Sequence, residues 1–123
     1  MQVLILEYDA ILRDLLCLGL KRNGFVPILC ADPSNVRDEI TMHAPEAMIV
    51  DNHLPFSNGI DLIYELENEH LLDNVYTVFL SSLGFTSIVK QAIKAGADDF
   101  LVKPFDMDCL SLKLKSHQKM ERN

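Results

Sequence analysis

Five short apolar segments alternate with segments of helical spacing, and this alternation limits the possible fold more than any other feature. The apolar segments are residues 2–6 (QVLIL), 25–30 (FVPILC), 47–50 (AMIV), 75–80 (VYTVFL) and 99–102 (DFLV). Most are continuous rather than alternating, which is typical of parallel strands that are covered on both faces. The sequence therefore predicts an α/β fold with a doubly wound parallel sheet and helices on both faces. We expect the strand order 2-1-3-4-5, one of the common orders of such sheets, in which strands one and three are neighbours.

The segments between the apolar runs contain helix-start and helix-stop signals. The first helix is predicted to carry one apolar stripe, which consists of Leu12, Leu15, Leu16, Gly19 and Leu20. Gly24 follows this stripe as a stop signal. Candidate capping residues for later helices are Asp32 or Ser34, Thr86 or Ser87, and Asp106. Pro27 within the second apolar run favours an edge strand or a strand start.

Composition restricts the class of protein. The 123 residues fit one domain, residues 1–123, with a polar tail from about residue 117 that we expect to fray. A net charge of −7 argues against direct nucleic-acid binding. No apolar run approaches membrane-spanning length, and the first residues do not resemble a signal peptide, so we expect a cytoplasmic protein without a membrane partner. Cys17, Cys30 and Cys109 are scattered, which predicts neither a disulfide frame nor a zinc site.

Polar residues follow four of the predicted strands at their carboxyl ends. Glu7 follows the first strand, Asp51 the third, Ser81 the fourth and Lys103 the fifth. In open parallel sheets, sites lie beyond these ends, where the strand order reverses. Clustered carboxylates favour a cation, and Mg²⁺ often needs only one or two carboxylates plus phosphate oxygens. The set suits phosphoryl transfer onto a carboxylate, with hydroxyl and ammonium groups binding phosphoryl oxygens.

Two segments that contain these residues resemble the motifs of a known family. The segment VDNHLPFSNG resembles the D-x-x-[LM]-P-x-x-[DN]-G loop of response-regulator receiver domains in two-component signalling, and AGADDFLVKPF resembles the fifth-strand signature of that family. The resemblance covers essentially the whole chain. It implies that Asp51 is the phosphoacceptor, that Lys103 is the family's lysine, before a cis X-Pro bond, and that Ser81 and Phe100 are the switch residues.

The resemblance also implies a metal site. Glu7, Asp51 and the backbone carbonyl of His53 would hold Mg²⁺, with Asp9 as a further candidate ligand. Tyr8 stands where the family usually has a second acid, and a phenol is a poor Mg²⁺ ligand, so we expect weakened binding. No other cofactor is implied.

The implied partners are a sensor histidine kinase or phosphotransfer protein, and an output domain or partner protein on the face formed by the fourth helix, fifth strand and fifth helix. Leu112 and Met120, off the apolar stripe of the fifth helix, add apolar surface there for a partner or a second copy. The protein is then a signalling phosphoprotein in a phosphorelay, not an enzyme beyond weak self-phosphotransfer and autodephosphorylation.

Two alternatives stay open at this point. A pseudo-receiver would have the same fold and act as a protein-interaction module without phosphorylation. A flavodoxin-like cofactor binder would need a phosphate-binding loop after the first strand, whereas EYDAILRD is acidic and contains no glycine. Metal titration separates the first alternative from a phosphorylatable receiver, and a flavin absorbance spectrum tests the second.

Overall fold

A computed structural model describes residues 1–30, 32–55 and 57–116. The strands are β1 (Gln2–Leu6), β2 (Val26–Leu29), β3 (Ala47–Asp51), β4 (His53–Leu54), β5 (Ser57–Asn58), β6 (Tyr76–Ser81) and β7 (Asp99–Val102). The helices are α1 (Ala10–Arg22), α2 (Val36–His43), α3 (Gly59–Asn68), α4 (Thr86–Ala95) and α5 (Met107–Ser116), and a 3₁₀ turn at Pro33–Asn35 precedes α2. The expected frayed tail from residue 117, with Met120, lies outside the described residues.

The main sheet has five parallel strands in the order β2-β1-β3-β6-β7. The short strands β4 and β5 form a separate antiparallel ribbon, so the predicted order 2-1-3-4-5 is confirmed for the sheet strands. Every residue of the central strands β3 and β6 is buried, which explains why their sequences are continuously apolar. Pro27 lies in β2 at the edge of the described sheet, as its missing N–H requires.

The core has two layers, one on each face of the sheet. Successive strand residues point to opposite faces, so Val3 and Ile5 belong to one layer and Leu4 and Leu6 to the other. Side chains of α1 and α5 complete the first layer, and those of α2, α3 and α4 complete the second. A doubly wound domain results.

Two local expectations were wrong. Leu15 does not share the buried face of α1: it is exposed, whereas Leu16 and Leu20 are buried, because only a narrow stripe of this helix contacts the sheet. Neither Thr86 nor Ser87 caps α4, since the helix begins at Thr86 and the capping position falls on the extended Phe85, which makes no side-chain capping bond. Asp32 and Asp106 accept hydrogen bonds from the backbone two residues later, at 2.9 and 3.0 Å, as expected of start residues.

The amino ends of β6 and β7 are tied to α5 by polar side chains. The Tyr76 hydroxyl donates to Asp99 Oδ2 at 3.0 Å, and the Lys113 ammonium donates to the same oxygen at 2.9 Å. Although burial opposes its ionisation, hydrogen bonds led by that from Lys113 hold the pKa of Asp99 below its usual range. This Tyr76–Asp99–Lys113 network joins two strands and a helix at the end of the sheet opposite the strand tips.

No helix among the described residues is both long enough and apolar enough to cross a bilayer.

Gly24 provides a test of how α1 ends. Its φ of +87° is left-handed, and its N–H donates to the Lys21 carbonyl at 3.1 Å. We expect Gly24→Ala to lower the free energy of unfolding by about 1 kcal/mol, because a Cβ strains this conformation. Gly24→Asn should cost less, since asparagine tolerates it better. Urea denaturation measures both variants, and equal stability of all three proteins would contradict this account.

Candidate functional site

The carboxyl ends of four strands place the candidate site residues together. Glu7 follows β1, Asp51 ends β3, Ser81 ends β6 and Lys103 follows β7. The first three are nearly inaccessible, with 3%, 1% and 2% of their surface exposed. Two ionisable carboxyl groups therefore lie almost completely buried at one edge of the sheet, an arrangement that needs a compensating charge.

Lys103 supplies that charge. Its ammonium forms a close ion pair with Asp51 Oδ2 and lies 3.4 Å from Glu7 Oε2. The lysine enters the site at the Lys103–Pro104 bond, which is cis. One cation thus contacts both buried carboxyl groups.

Backbone amides hold the other carboxyl oxygens. The Asp9 N–H donates to Glu7 Oε1 at 3.0 Å, and the His53 N–H donates to Asp51 Oδ1 at 2.9 Å. Glu7 Oε2 is buried and accepts no hydrogen bond within the part of the chain that the structure describes. It is the one oxygen of the pair whose coordination is incomplete, and it faces the lysine.

The two carboxyl groups have pKa values shifted in opposite directions. Burial, followed by the contact with Asp51, raises the pKa of Glu7 to about 7. Burial also opposes ionisation of Asp51, but hydrogen bonds with Glu7 and Lys103 hold the pKa of Asp51 below its usual range. Below about pH 7 the proton of the pair therefore resides on Glu7, and Asp51 is the carboxylate.

Ser81 lies across the site from Glu7. Its hydroxyl oxygen accepts the Leu83 N–H at 3.0 Å, and its carbonyl accepts the Lys103 N–H at 2.8 Å. The hydroxyl proton is not used in the first of these bonds, so the side chain keeps its capacity to donate. The same strand tip thus positions both the hydroxyl group and the lysine.

The loop after Asp51 packs tightly against the start of α3. A Cβ at Gly59 would lie 2.5 Å from the Asp51 carbonyl oxygen, closer than real Cβ contacts. The Gly59 N–H also donates to the Asn52 carbonyl at 2.9 Å. Only glycine permits this approach, so the SNG segment of the motif holds the loop in place.

Asp9 and Tyr8 have different surroundings from Glu7. Asp9 caps α1, with its Oδ1 accepting the N–H groups of Ile11 and Leu12 at 2.9 and 3.1 Å. Tyr8 is 66% exposed. No group of three or more histidine, cysteine or acidic side chains in the described ranges is placed to hold a metal ion. The carboxyl groups of Glu7 and Asp51 remain, and two carboxyl groups are a donor set compatible with Mg²⁺, which keeps several waters.

The structure brings Glu7, Asp51, Ser81 and Lys103 together as the sequence suggested, whereas Phe100 lies apart. Phe100 is half-buried against the core layer of α2, α3 and α4. Sequence reasoning missed that Asp9 starts α1. The sequence did contain the signal for a helix start, because Asp9 is an acid that precedes an apolar helical segment. Asp9 was interpreted as a candidate metal ligand instead, because it lies two residues after Glu7.

Comparisons with known proteins agree with this arrangement. The family model described as the response regulator receiver domain matches residues 3–115. The chain is 28% identical over 115 residues to the phosphate regulon transcriptional regulatory protein PhoB of Escherichia coli (strain K12), covering 94% of this chain and 50% of PhoB. It is 33% identical over 114 residues to a cyclic di-GMP phosphodiesterase of Thermotoga maritima, covering 93% of this chain and 30% of that protein. The chain therefore spans at most half the length of these relatives.

Solved structures show the same fold. The receiver domain of the Francisella response regulator 1452 superposes with a TM-score of 0.86 at 23% identity, covering 94% of this chain and 93% of that one. The BeF₃-activated receiver domain of Klebsiella pneumoniae RstA gives 0.88 at 19% identity, covering 98% and 100%.

The raised pKa of Glu7 predicts a specific dependence of stability on pH. Between about pH 4.5 and 7 the folded protein keeps a proton on Glu7 that the unfolded chain has lost. The free energy of unfolding should therefore fall as the pH rises through this window, in the absence of divalent metal. Glu7→Gln removes the titration, and we expect the variant to be more stable than the wild type at pH 8.

Urea denaturation of both proteins across this range measures the difference. Asp38→Asn, which removes an exposed carboxylate, is the matched control and should not reproduce the effect. A difference between wild type and Glu7→Gln that is constant with pH would show that Glu7 is ionised throughout.

Variants of Asp9 separate its role as a cap from a role in metal binding. Asparagine caps as well as aspartate, so Asp9→Asn should keep the stability, whereas Asp9→Ala should lose about 1 kcal/mol. If Asp9 does not contact the metal, Asp9→Asn should also keep the Mg²⁺ affinity, measured by titration. A weaker affinity in Asp9→Asn with unchanged stability would identify Asp9 as a ligand.

Proposed function

The chain belongs to the response regulator receiver domain family, and we propose that it is a phosphorylatable switch in two-component signalling. Asp51 would accept a phosphoryl group from a sensor histidine kinase or phosphotransfer protein. The observation that carries the proposal is the buried Asp51 carboxylate, paired with the Lys103 ammonium beside Glu7. A carboxylate held ionised at the edge of the sheet is a nucleophile, and it would become accessible to a donor when Lys103 moves away from it.

The chemistry follows from the groups present. An Asp51 oxygen forms the bond to phosphorus while the bond from phosphorus to the donor breaks, and the donor leaves with that electron pair. Lys103 balances charge on one phosphoryl oxygen, and the Ser81 hydroxyl donates to another. These residues position groups and offset charge, which is most of what phosphoryl transfer requires.

A magnesium ion belongs to the same proposal. Asp51, Glu7 and the His53 carbonyl would hold it, with Asp9 as an additional ligand only if its carboxylate leaves the cap of α1. When bound, Mg²⁺ supplies charge neutralisation for the phosphoryl group. Binding is weaker than in a receiver with two consecutive acids, because Tyr8 points to solvent and supplies no anion. Lys103 also has to share Asp51 with the ion.

The output of the switch is a change of surface. Ser81 responds to the phosphoryl group and Phe100 repacks beside α4, which alters the face formed by α4, β7 and α5. That face is already partly apolar, since Phe85, Ile93, Val102 and Leu112 are exposed. The state that binds phosphate better is then favoured, and an output domain or partner protein reads the change.

The function is signalling rather than turnover of a substrate, with at most slow self-phosphotransfer and autodephosphorylation at Asp51. PhoB is named as a transcriptional regulatory protein. An output domain, joined or separate, would by analogy carry out the response, in the cytoplasm where sensor kinases present their phosphoryl groups.

Mass spectrometry of the intact protein tests the proposal. After incubation with acetyl phosphate and saturating Mg²⁺, the wild type should gain the mass of one phosphoryl group, and Asp51→Asn should not. Removal of Mg²⁺ with a chelator should abolish the adduct. Tyr8→Asp should accelerate the gain, because it restores an acid next to Glu7.

Asp38→Asn removes an exposed carboxylate on α2, is the control for nonspecific phosphorylation of surface carboxylates, and should behave as the wild type. An adduct that persists in Asp51→Asn would place the acceptor elsewhere. No adduct on the wild type, with an adduct on Tyr8→Asp, would favour the phosphorylation-independent pseudo-receiver.

A further inference from the structure

Helix α1 has two apolar faces, although it lies at the surface. Leu16 and Leu20 face the sheet and are buried. Ile11, Leu15 and Leu18, here called the outer stripe, are 75%, 59% and 48% exposed. A surface helix normally carries charged and polar residues on its outer side. Three neighbouring exposed aliphatic side chains form a continuous patch, which indicates a contact surface rather than isolated exposure.

The outer stripe has the spacing of a coiled-coil seam. Its residues are four and then three positions apart, which keeps them on one line along the helix. Arg22, four positions after Leu18, is exposed at the carboxyl end of that line. The stripe therefore matches the surface that a second helix needs for side-by-side packing.

Different residues flank the two sides of the outer stripe. The charged side chains Asp14 and Lys21, both exposed, lie on the side of β2. Leu12 and Gly19 lie on the other side, where they line a groove of about 750 Å³ together with Phe105. One side of the stripe thus carries an acid, Asp14, and a base seven residues later, Lys21. The other side carries a large apolar residue, Leu12, and glycine, Gly19.

We propose that this surface pairs antiparallel with α1 of a second copy of the chain. An antiparallel pair with a twofold axis near the middle of the stripe sets Leu15 against the partner's Leu18. The same-side positions then face each other, so Asp14 meets the partner's Lys21. This attractive contact occurs twice, because the twofold axis repeats it with the two chains exchanged.

The opposite flank is apolar. Leu12 meets the partner's Gly19, where the Met107 side chain of α5 already fills the position that a Cβ would take. This flank therefore adds apolar contact but does not select a direction. A parallel pair would place Asp14 and Lys21 beside this apolar flank, without opposite charges. The pattern of charges therefore selects both the partner and its direction.

One helix pair buries less surface than a permanent dimer needs, so the association should be reversible and micromolar or weaker. The pairing residues all belong to α1, although Lys103 of the phosphoacceptor site also lines the groove beside Leu12 and Gly19. The pairing does not require phosphorylation. Self-association and the phosphoryl adduct are separate measurements, so either proposal can fail alone.

Sedimentation equilibrium at low ionic strength tests the proposal over protein concentrations that reach the millimolar range. The wild type should show a mass that rises towards a dimer. Asp14→Lys and Lys21→Asp should each weaken self-association about tenfold, because each turns two attractive contacts into repulsive ones. An equimolar mixture of these two variants should regain the association, since one chain then presents a base and the other an acid at both contacts.

Two further variants locate the interface. Leu15→Glu should abolish the association, whereas Leu112→Glu on the exposed side of α5 should leave it unchanged. Circular dichroism melts establish that every variant is folded. A wild type that stays monomeric at all concentrations would overturn the proposal. So would loss of the dimer in Leu112→Glu but not in Leu15→Glu, or a mixture of the charge variants that stays monomeric.

Discussion

The ammonium group of Lys103 makes the rest of the site possible. Two carboxyl groups at the tips of adjacent strands would both lose hydration and repel each other, and either effect alone opposes folding. Lys103 pairs with Asp51 and lies beside Glu7. The two carboxylates and the ammonium together carry one net negative charge, so a single proton on Glu7 makes the group of three neutral. The raised pKa of Glu7 follows from the same arrangement, because one lysine neutralises only one of two buried carboxylates.

The surrounding backbone makes this charge arrangement rigid. Amide groups fix one oxygen of Glu7 and one of Asp51, and Gly59 lets α3 start against the carbonyl of Asp51. Asp9 both donates its N–H to Glu7 and caps α1 with its side chain. The first strand tip therefore couples the site to the start of α1 through consecutive residues.

The parallel sheet and the four residues at the strand tips could be predicted, because continuous apolar runs that alternate with helical segments follow from burial. The strand order does not follow from burial and was expected only as a common order of doubly wound sheets. The exposure of Leu15 could not be predicted. A helix with apolar residues on two sides can pack on the sheet in more than one rotation about its own axis. The role of Asp9 depends on whether the chain bends after Glu7, which no local pattern specifies. The start of α4 at Thr86 was missed because the extended Phe85 occupies the capping position without a side-chain bond.

The Tyr76–Asp99–Lys113 network has a mechanical consequence. It holds the amino ends of β6 and β7 to α5, while the opposite ends of the same strands carry Ser81 and lead to Lys103. A rearrangement at the strand tips therefore acts far from the anchored point. The helix α5 is thus fastened to the sheet at a point remote from the buried carboxyl groups, and its attachment does not use the residues that carry the chemistry.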